Sequence, residues 1–276
     1  MVNNHPIRRI ISGILFAPIL LFCLFARDFW WITLLITFVA VWGIHEFYTL
    51  VSFKGFEPFR RFGYAMVLLL CLNAPIWFRF ATYSQLFILL LLGSFLLAIF
   101  RFKLNHNHSM LRISTTVLGV LYIGFPLSLM LSIWELPRGG VYLLWVIAVT
   151  WFCDIGAYTV GSLFGKHKMC PNISPNKTIE GCFGGVVFSI LAGIVVRWIA
   201  LHFFVTALFS PFLNILFSFG ISVVAQLGDL AESILKREVR VKDSGNTYTG
   251  HGGILDMIDS LLFTIPGLYL ILKIYY

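Results

Sequence analysis

Charge is what this chain has least of. Only 12% of its 276 residues are Asp, Glu, Lys or Arg, while 59% are hydrophobic and the mean hydropathy is +0.90. Soluble domains carry about 25% charged residues, so a water-facing surface over the whole chain is excluded. Nor does any polar stretch between apolar runs reach the length needed to bury a core of its own. The cysteines are also few. Cys23, Cys71, Cys153, Cys170 and Cys182 form no CxxC pair and no zinc-type spacing, so neither a disulfide framework nor a zinc module is expected. Low-complexity tracts, internal repeats and linkers are absent as well. The formal charge of +8 would suit a nucleic-acid binder, but the basic residues are scattered between apolar runs and form no stripe. Nucleic acid is therefore not an expected partner.

What remains is long apolar runs. A membrane helix needs about 20 mostly apolar residues, and that length finds spans near 10–26, 29–51, 64–82, 84–100, 113–134, 141–163, 181–201, 212–235 and 254–274. The expectation is an all-α, polytopic integral membrane protein of about nine transmembrane helices. Five spans fall in an N-terminal part, 1–140. The C-terminal part, 141–276, carries the chemistry and two cytoplasmic loops, 164–180 and 236–253. The first apolar run is longer than a signal-peptide core and no small-residue cleavage site follows it, so an uncleaved helix is expected.

The positive-inside rule supplies an independent check. With the N-terminus in the cytoplasm, only Arg27, Arg79, Arg138, Arg197 and Lys273 of the 20 basic residues fall outside. This layout places the C-terminus outside, and the inner (cytoplasmic) membrane is the expected location.

Ionisable residues within spans are costly and point to function. His45 and Glu46 close the second span, where an interfacial carboxylate is an ordinary feature. The eighth span is different. Asp229, Glu232, Ser233 and Lys236 recur at i, i+3, i+4 and i+7, which places them on one helical stripe. Such a stripe must face protein or water. The ninth span opens with Asp256 and Asp259 at i and i+3, again on one face. A loop on one membrane side joins the two spans, so their ends can bring three carboxylates together. Clustered carboxylates need a cation, and Mg²⁺ is commonly held by one or two carboxylates plus substrate phosphates. A structural network with Lys236 and Arg237 is the alternative.

The loop from Lys236 to Gly253 also carries Arg240, Lys242, Asp243 and His251 among several glycines, and a helix starts just after it. Glycine-rich turns before a helix N-terminus suit phosphate. On the same side lies the loop with Ser174 and Lys177. Ser174 or Thr178 can cap the seventh helix, with Glu180 in its first turn. Capping leaves Lys177 unexplained: a cation near a helix N-terminus opposes the macrodipole and suggests a bound anion. A metal- and phosphate-binding site at the cytoplasmic membrane surface follows. The residues alone name neither nucleotide nor lipid.

The run Ser233-Ile-Leu-Lys-Arg, followed by Lys242-Asp-Ser-Gly and His251-Gly-Gly-Ile-Leu-Asp-Met-Ile-Asp, resembles the signature of the phosphatidate cytidylyltransferase, or CDP-diacylglycerol synthase, family. Asp154-Ile-Gly-Ala-Tyr and Ser174-Pro-Asn-Lys-Thr resemble two further motifs of that family, and order and spacing agree over roughly 150–262. This resemblance implies transfer of a cytidylyl group from CTP to phosphatidate, with Mg²⁺ as cofactor; whether a monovalent cation joins it is left open. It implies Asp229 and Asp256 at the metal centre with Asp259 close behind. It implies phosphate binding by Lys236, Arg237, Lys242 and Lys177. Asp243, Ser174 and His251 would shape the site, with Thr178 and Ser233 beside the substrates. CTP, phosphatidate and membrane lipid are the implied partners, and a homodimer is one of the oligomeric states left open.

Three positions depart from the family pattern. Met257 stands where Arg is usual, Tyr248 and Thr249 replace an aliphatic residue followed by Pro or Gly, and Asn176 replaces a common Lys. A CTP-using polyprenol or dolichol kinase is the nearest alternative. A cation-coupled transporter is the alternative from another class, set back by the missing repeat and by polar groups clustered at one face.

Overall fold

The structure, a computed structural model, describes residues 18–26, 28–75, 79–102, 108–204, 208–241, 244 and 253–275. Residues 18–25 are helical. Next come α1 (Phe29–Ser52), α2 (Arg60–Asn73), α3 (Tyr83–Phe102), α4 (Ser109–Gly119) and α5 (Phe125–Trp134), followed by α6 (Gly139–Phe164). A two-stranded antiparallel hairpin, β1 (Lys168–Cys170) and β2 (Ser174–Thr178), precedes α7 (Ile179–Phe203), α8 (Pro211–Glu238) and α9 (Leu255–Tyr275). Among the described residues seven helical stretches are long and apolar enough to cross a membrane, α4 and α5 counting as one. The protein is an all-α integral membrane protein apart from that hairpin, which lies in the expected loop 164–180.

One expected span differs from the sequence reading, and another lies mostly outside the described residues. Of the first, only residues 18–26 fall among those described. The third was expected at 64–82, but α2 starts earlier and ends at Asn73 after 14 residues. Such a helix is about 21 Å long, short of the roughly 30 Å hydrocarbon core. The reason lies in Asn73 and the Pro75 that follows it. The Asn73 Oδ1 accepts the N–H groups of Phe80 and Ala81, both at 3.0 Å, and its amide donates to the Ala81 carbonyl at 2.9 Å. One buried amide therefore ties down the backbone of a chain reversal that Pro75 prevents from continuing as helix.

The fifth span runs from Ser109 to Trp134 with a π-helical turn at Val120–Gly124. Pro126 stands two residues past that turn and has no N–H for it, a known cause of such irregularity.

The chain divides into two compact units. The first holds Met1–Glu135 and Glu238–Met257; the second holds Leu136–Arg237 and Ile258–Tyr276. In the first, Tyr48 of α1 is fully buried, and its hydroxyl donates to the Thr116 carbonyl at 3.0 Å. Its ring occupies the space that a side chain at Gly63 or Gly119 would need, so α1, α2 and α4 pack closely around it.

In the second unit, α6 and α7 pack along most of their length through small residues, and a Cβ at Gly184 would collide with Val160. Lipid offers no hydrophobic drive for helix pairing, so close van der Waals contact and interhelical hydrogen bonds take its place. The second unit has several such bonds. Trp145 Nε1 donates to Asn214 Oδ1 at 2.9 Å, Thr150 Oγ1 meets Thr264 Oγ1 at 3.1 Å, and Ser189 Oγ donates to the Val149 carbonyl at 2.9 Å. Each contributes about 0.6 kcal/mol, enough together to fix which helix faces which.

Candidate active site

The polar cavity of the second unit has a volume of about 480 Å³ and opens among α6, the hairpin, α7 and α8. Asp154 and Tyr158 of α6, Lys168 and Asn176 of the hairpin, Lys177, and Asp229 of α8 line it. A larger groove of about 880 Å³ runs between α3 and the α4–α5 helix, but its lining is almost wholly apolar, and it holds no group that could handle phosphate.

Local structure explains how the polar side chains reach this cavity. The hairpin brings Lys168 opposite Thr178. Thr178 then caps α7, its hydroxyl accepting the Gly181 N–H at 3.1 Å, which settles the choice between Ser174 and Thr178. Ser174 lies at the other end of β2, paired with Cys170, away from the cavity lining. Glu180, in the first turn of α7, closes the preceding loop. It accepts the Lys166 N–H at 3.1 Å and the His167 N–H at 3.2 Å, and it meets His167 Nδ1 at 2.6 Å.

The anion beside Lys177 is a side chain of the protein. Lys177 Nζ lies 2.7 Å from Asp229 Oδ2, an ion pair held off the hydrogen-bond axis. Asp229 also receives a long contact from Ser233 Oγ at 3.5 Å. The stripe expected on the eighth span is present, but its members do different work. Glu232 is completely buried and pairs with Lys236 one turn on. Arg237 donates from Nε to the Ile173 carbonyl at 3.1 Å, holding the turn of the hairpin.

Helices α8 and α9 approach each other backbone to backbone at Gly228, where a Cβ would lie within 2.9 Å of the Asp259 carbonyl. That closeness puts Asp259 in the electrostatic neighbourhood of Asp229, Lys236 and Lys177, and Asp154 interacts with Asp229, Asp259 and Lys177 as well. Three carboxylates and a lysine thus share one region of the second unit. Asp154 was missing from the residues singled out as catalytic or substrate-binding, although it stands alone as an acid in an apolar span and opens one of the recognised motifs. Lys168 and Gln226 were missed too; nothing in their spacing marks them, because the hairpin and the helix register bring them to the cavity wall.

Asp256 belongs to the first unit. Its Oδ2 accepts the Gly253 N–H at 2.7 Å, the Ser244 hydroxyl at 2.9 Å and the Ser244 N–H at 3.0 Å. Along α9 it stands one turn before Asp259, as its spacing required. Lys242, Asp243 and His251 lie outside the described residues, as do Tyr248 and Thr249. Met257 is partly exposed, and Asn176 lines the cavity where a family lysine would stand.

The described residues contain no group of three or more His, Cys, Asp or Glu side chains converging as a ready cage for a metal. The donors at hand are carboxylate and amide oxygens, the hard ligands that Mg²⁺ prefers, and Mg²⁺ usually takes only one or two carboxylates and completes its shell with phosphate and water. The donor set fits that ion.

Membrane-spanning helices around a cavity lined by carboxylates and lysines define a membrane-embedded protein with a charged pocket. More narrowly, the chain belongs to the cytidylyltransferase family, whose model matches residues 7–275. It is 42% identical over 160 residues to the phosphatidate cytidylyltransferase of Bacillus subtilis, covering 57% of either chain. It is 39% identical over 179 residues to the protein of that name from Staphylococcus epidermidis, and 40% identical over 179 residues to that from Staphylococcus haemolyticus, covering 65% of this chain and 66% of each relative. The matches span less than two thirds of these relatives' own length.

Proposed function

We propose that this protein transfers the cytidylyl group of CTP to phosphatidate, forming CDP-diacylglycerol and releasing pyrophosphate. The observation that carries this reading is the cavity in which Lys177 and Lys168 stand beside Asp229 and Asp154, in a chain of the cytidylyltransferase family.

The chemistry asks little of a protein base. A phosphate oxygen of phosphatidate is already a nucleophile; it attacks the α-phosphorus of CTP. A new P–O bond forms, the bond to the β-phosphate oxygen breaks, and pyrophosphate leaves with that electron pair. The main obstacle is bringing two anions together. Lys177 and Lys168 offer positive charge at the cavity wall, and preorganised charge of this kind is the largest single contribution in phosphoryl-type transfer. Arg237 adds to the positive potential at the end of α8, where Lys236 is paired with Glu232. The Lys177–Asp229 pair and the Thr178 cap hold that charge in place. Tyr158, exposed on α6, gives the nucleoside an aromatic face at the cavity rim.

Mg²⁺ is the proposed cofactor, and the family motifs assign Asp229 and Asp256 as its ligands. When bound it would neutralise phosphate charge and polarise the α-phosphate. Membrane-crossing helices let the acyl chains of the lipid substrate stay in hydrocarbon. On the nine-crossing reading, the distribution of Lys and Arg supports a cytoplasmic-facing site in the inner membrane, with the C-terminus outside.

A turnover assay tests the reading. Full-length protein in detergent micelles containing phosphatidate receives CTP labelled at the α-phosphate or at the γ-phosphate, with and without Mg²⁺. The expected outcome is α-label in the lipid fraction, dependent on metal and on phosphatidate. Transfer of γ-label instead would establish a lipid kinase and overturn the proposal.

A further inference from the structure

The start of α9 is fastened by a residue some two hundred positions upstream. Glu46 sits near the end of α1 and is only 4% exposed. A buried carboxylate is costly unless donors surround it, and donors reach both oxygens of this one. Trp42 Nε1, one turn earlier on α1, donates to Oε1 at 3.1 Å. The backbone N–H of Leu255, first residue of α9, donates to Oε2 at 2.9 Å. Ser244 Oγ stands 3.4 Å from the same oxygen.

These contacts meet at Asp256. The Ser244 hydroxyl has one proton and two carboxylates within reach, and the shorter contact, 2.9 Å, is to Asp256 Oδ2. Glu46 takes the weaker share and the Leu255 amide. Both carboxylates thus reach Ser244, while Asp256 takes the Gly253 N–H and Glu46 the Leu255 N–H. Gly253 leaves no room for a side chain, since a Cβ there would overlap the Glu46 carboxylate. A carboxylate at the N-terminus of α9 also sits favourably in the helix dipole. All of these residues belong to the first unit.

We propose that Glu46 is a positioning residue for the transfer reaction: it clasps the start of α9 and, through Ser244, fixes the rotamer and depth of Asp256. The proposal rests on the reading of Asp256 as part of the reacting site, and the two can fail separately. Glu46 touches no reacting atom in this account; it acts only through its neighbours.

The test compares full-length wild type, Glu46→Ala and Glu46→Gln in detergent. Hydrogen–deuterium exchange is followed in the peptide spanning 253–258, and turnover is measured against phosphatidate and CTP. Glu46→Ala is expected to speed exchange of the Leu255 amide about tenfold and to lower kcat by at least a similar factor, the weight of one hydrogen bond to a buried charge. The KM for phosphatidate should stay unchanged. Glu46→Gln keeps an oxygen that can accept the Leu255 N–H, and is expected to recover most of both losses. Exchange in Glu46→Ala equal to wild type overturns the clasp, whatever the activity. Faster exchange with unchanged kcat overturns the positioning role. An Asp256→Asn control that turns over normally removes Asp256 from the site and takes the positioning role with it, while the exchange result still decides whether the clasp exists. If Glu46→Ala fails to fold, Trp42→Phe, which removes one donor from Glu46 and keeps an aromatic ring, is expected to give a smaller change in the same direction; no change in exchange there overturns the proposal.

Discussion

Lys177 and Asp229 are half-buried partners at 2.7 Å, and each removes the other's reason to leave the cavity wall. Lys177→Met keeps the length and deletes the charge, so it leaves Asp229 uncompensated beside Asp154 and Asp259. The expected result is a fall in turnover of about 10²-fold or more, measured with α-labelled CTP, with the helical circular dichroism retained. Asp256→Asn should abolish activity while the fold persists; retained turnover would remove Asp256 from the metal reading. Met257 is a gentler case. It is partly exposed, so Met257→Arg needs no repacking and should leave thermal stability unchanged while preserving or raising turnover. Loss of folding there would show that the side chain packs.

At the level of elements, the close approach of α8 and α9 at Gly228 is the most vulnerable point. Gly228→Leu forces the two backbones apart and should destabilise the protein by about 1–3 kcal/mol, visible as a lower melting temperature together with lost turnover. Thr178→Val keeps the shape but removes the α7 cap, costing about 1 kcal/mol. Element positions were largely legible in the sequence, because apolar length is a direct consequence of bilayer thickness. α6, α7, α8 and α9 begin and end within a few residues of the expected spans. The misread one, at 64–82, was misread for a definite reason: Asn73 ends its helix through side-chain bonds to Phe80 and Ala81, which composition averages away. The hairpin of 168–178 was likewise invisible, since its strands are short and polar and have no alternating pattern.

Across the whole molecule, the site was legible as a set of residue types and less so as a set of partners. Spacing placed Asp229, Glu232, Ser233 and Lys236 on one stripe, and the structure keeps them there. The i, i+4 spacing of Glu232 and Lys236 allowed their pairing, but spacing did not show that Arg237 would hold the Ile173 carbonyl or that Lys177 would meet Asp229. Those two pairings depend on how the hairpin packs against α8, and no local pattern encodes them. Glu46 shows the same limit: its donors come from Trp42 nearby and from Ser244 and Leu255 at the far end of the chain. Removing divalent metal with a chelator should stop label transfer, and adding Mg²⁺ back should restore it while the far-ultraviolet circular dichroism stays constant throughout. Persistent transfer in chelator would exclude the metal from the reaction.

The Lys177–Asp229 pair has one more consequence. A ligand that arrives as a cation already bound to a polyphosphate brings a plus for Asp229 and a minus for Lys177 in the same encounter. The pair can then open by ion exchange, without either residue standing alone in the low-dielectric interior. Free nucleotide offers only half of that trade, and so does free metal. On the proposed function, the resting pair would favour the metal–nucleotide salt over either of its ions.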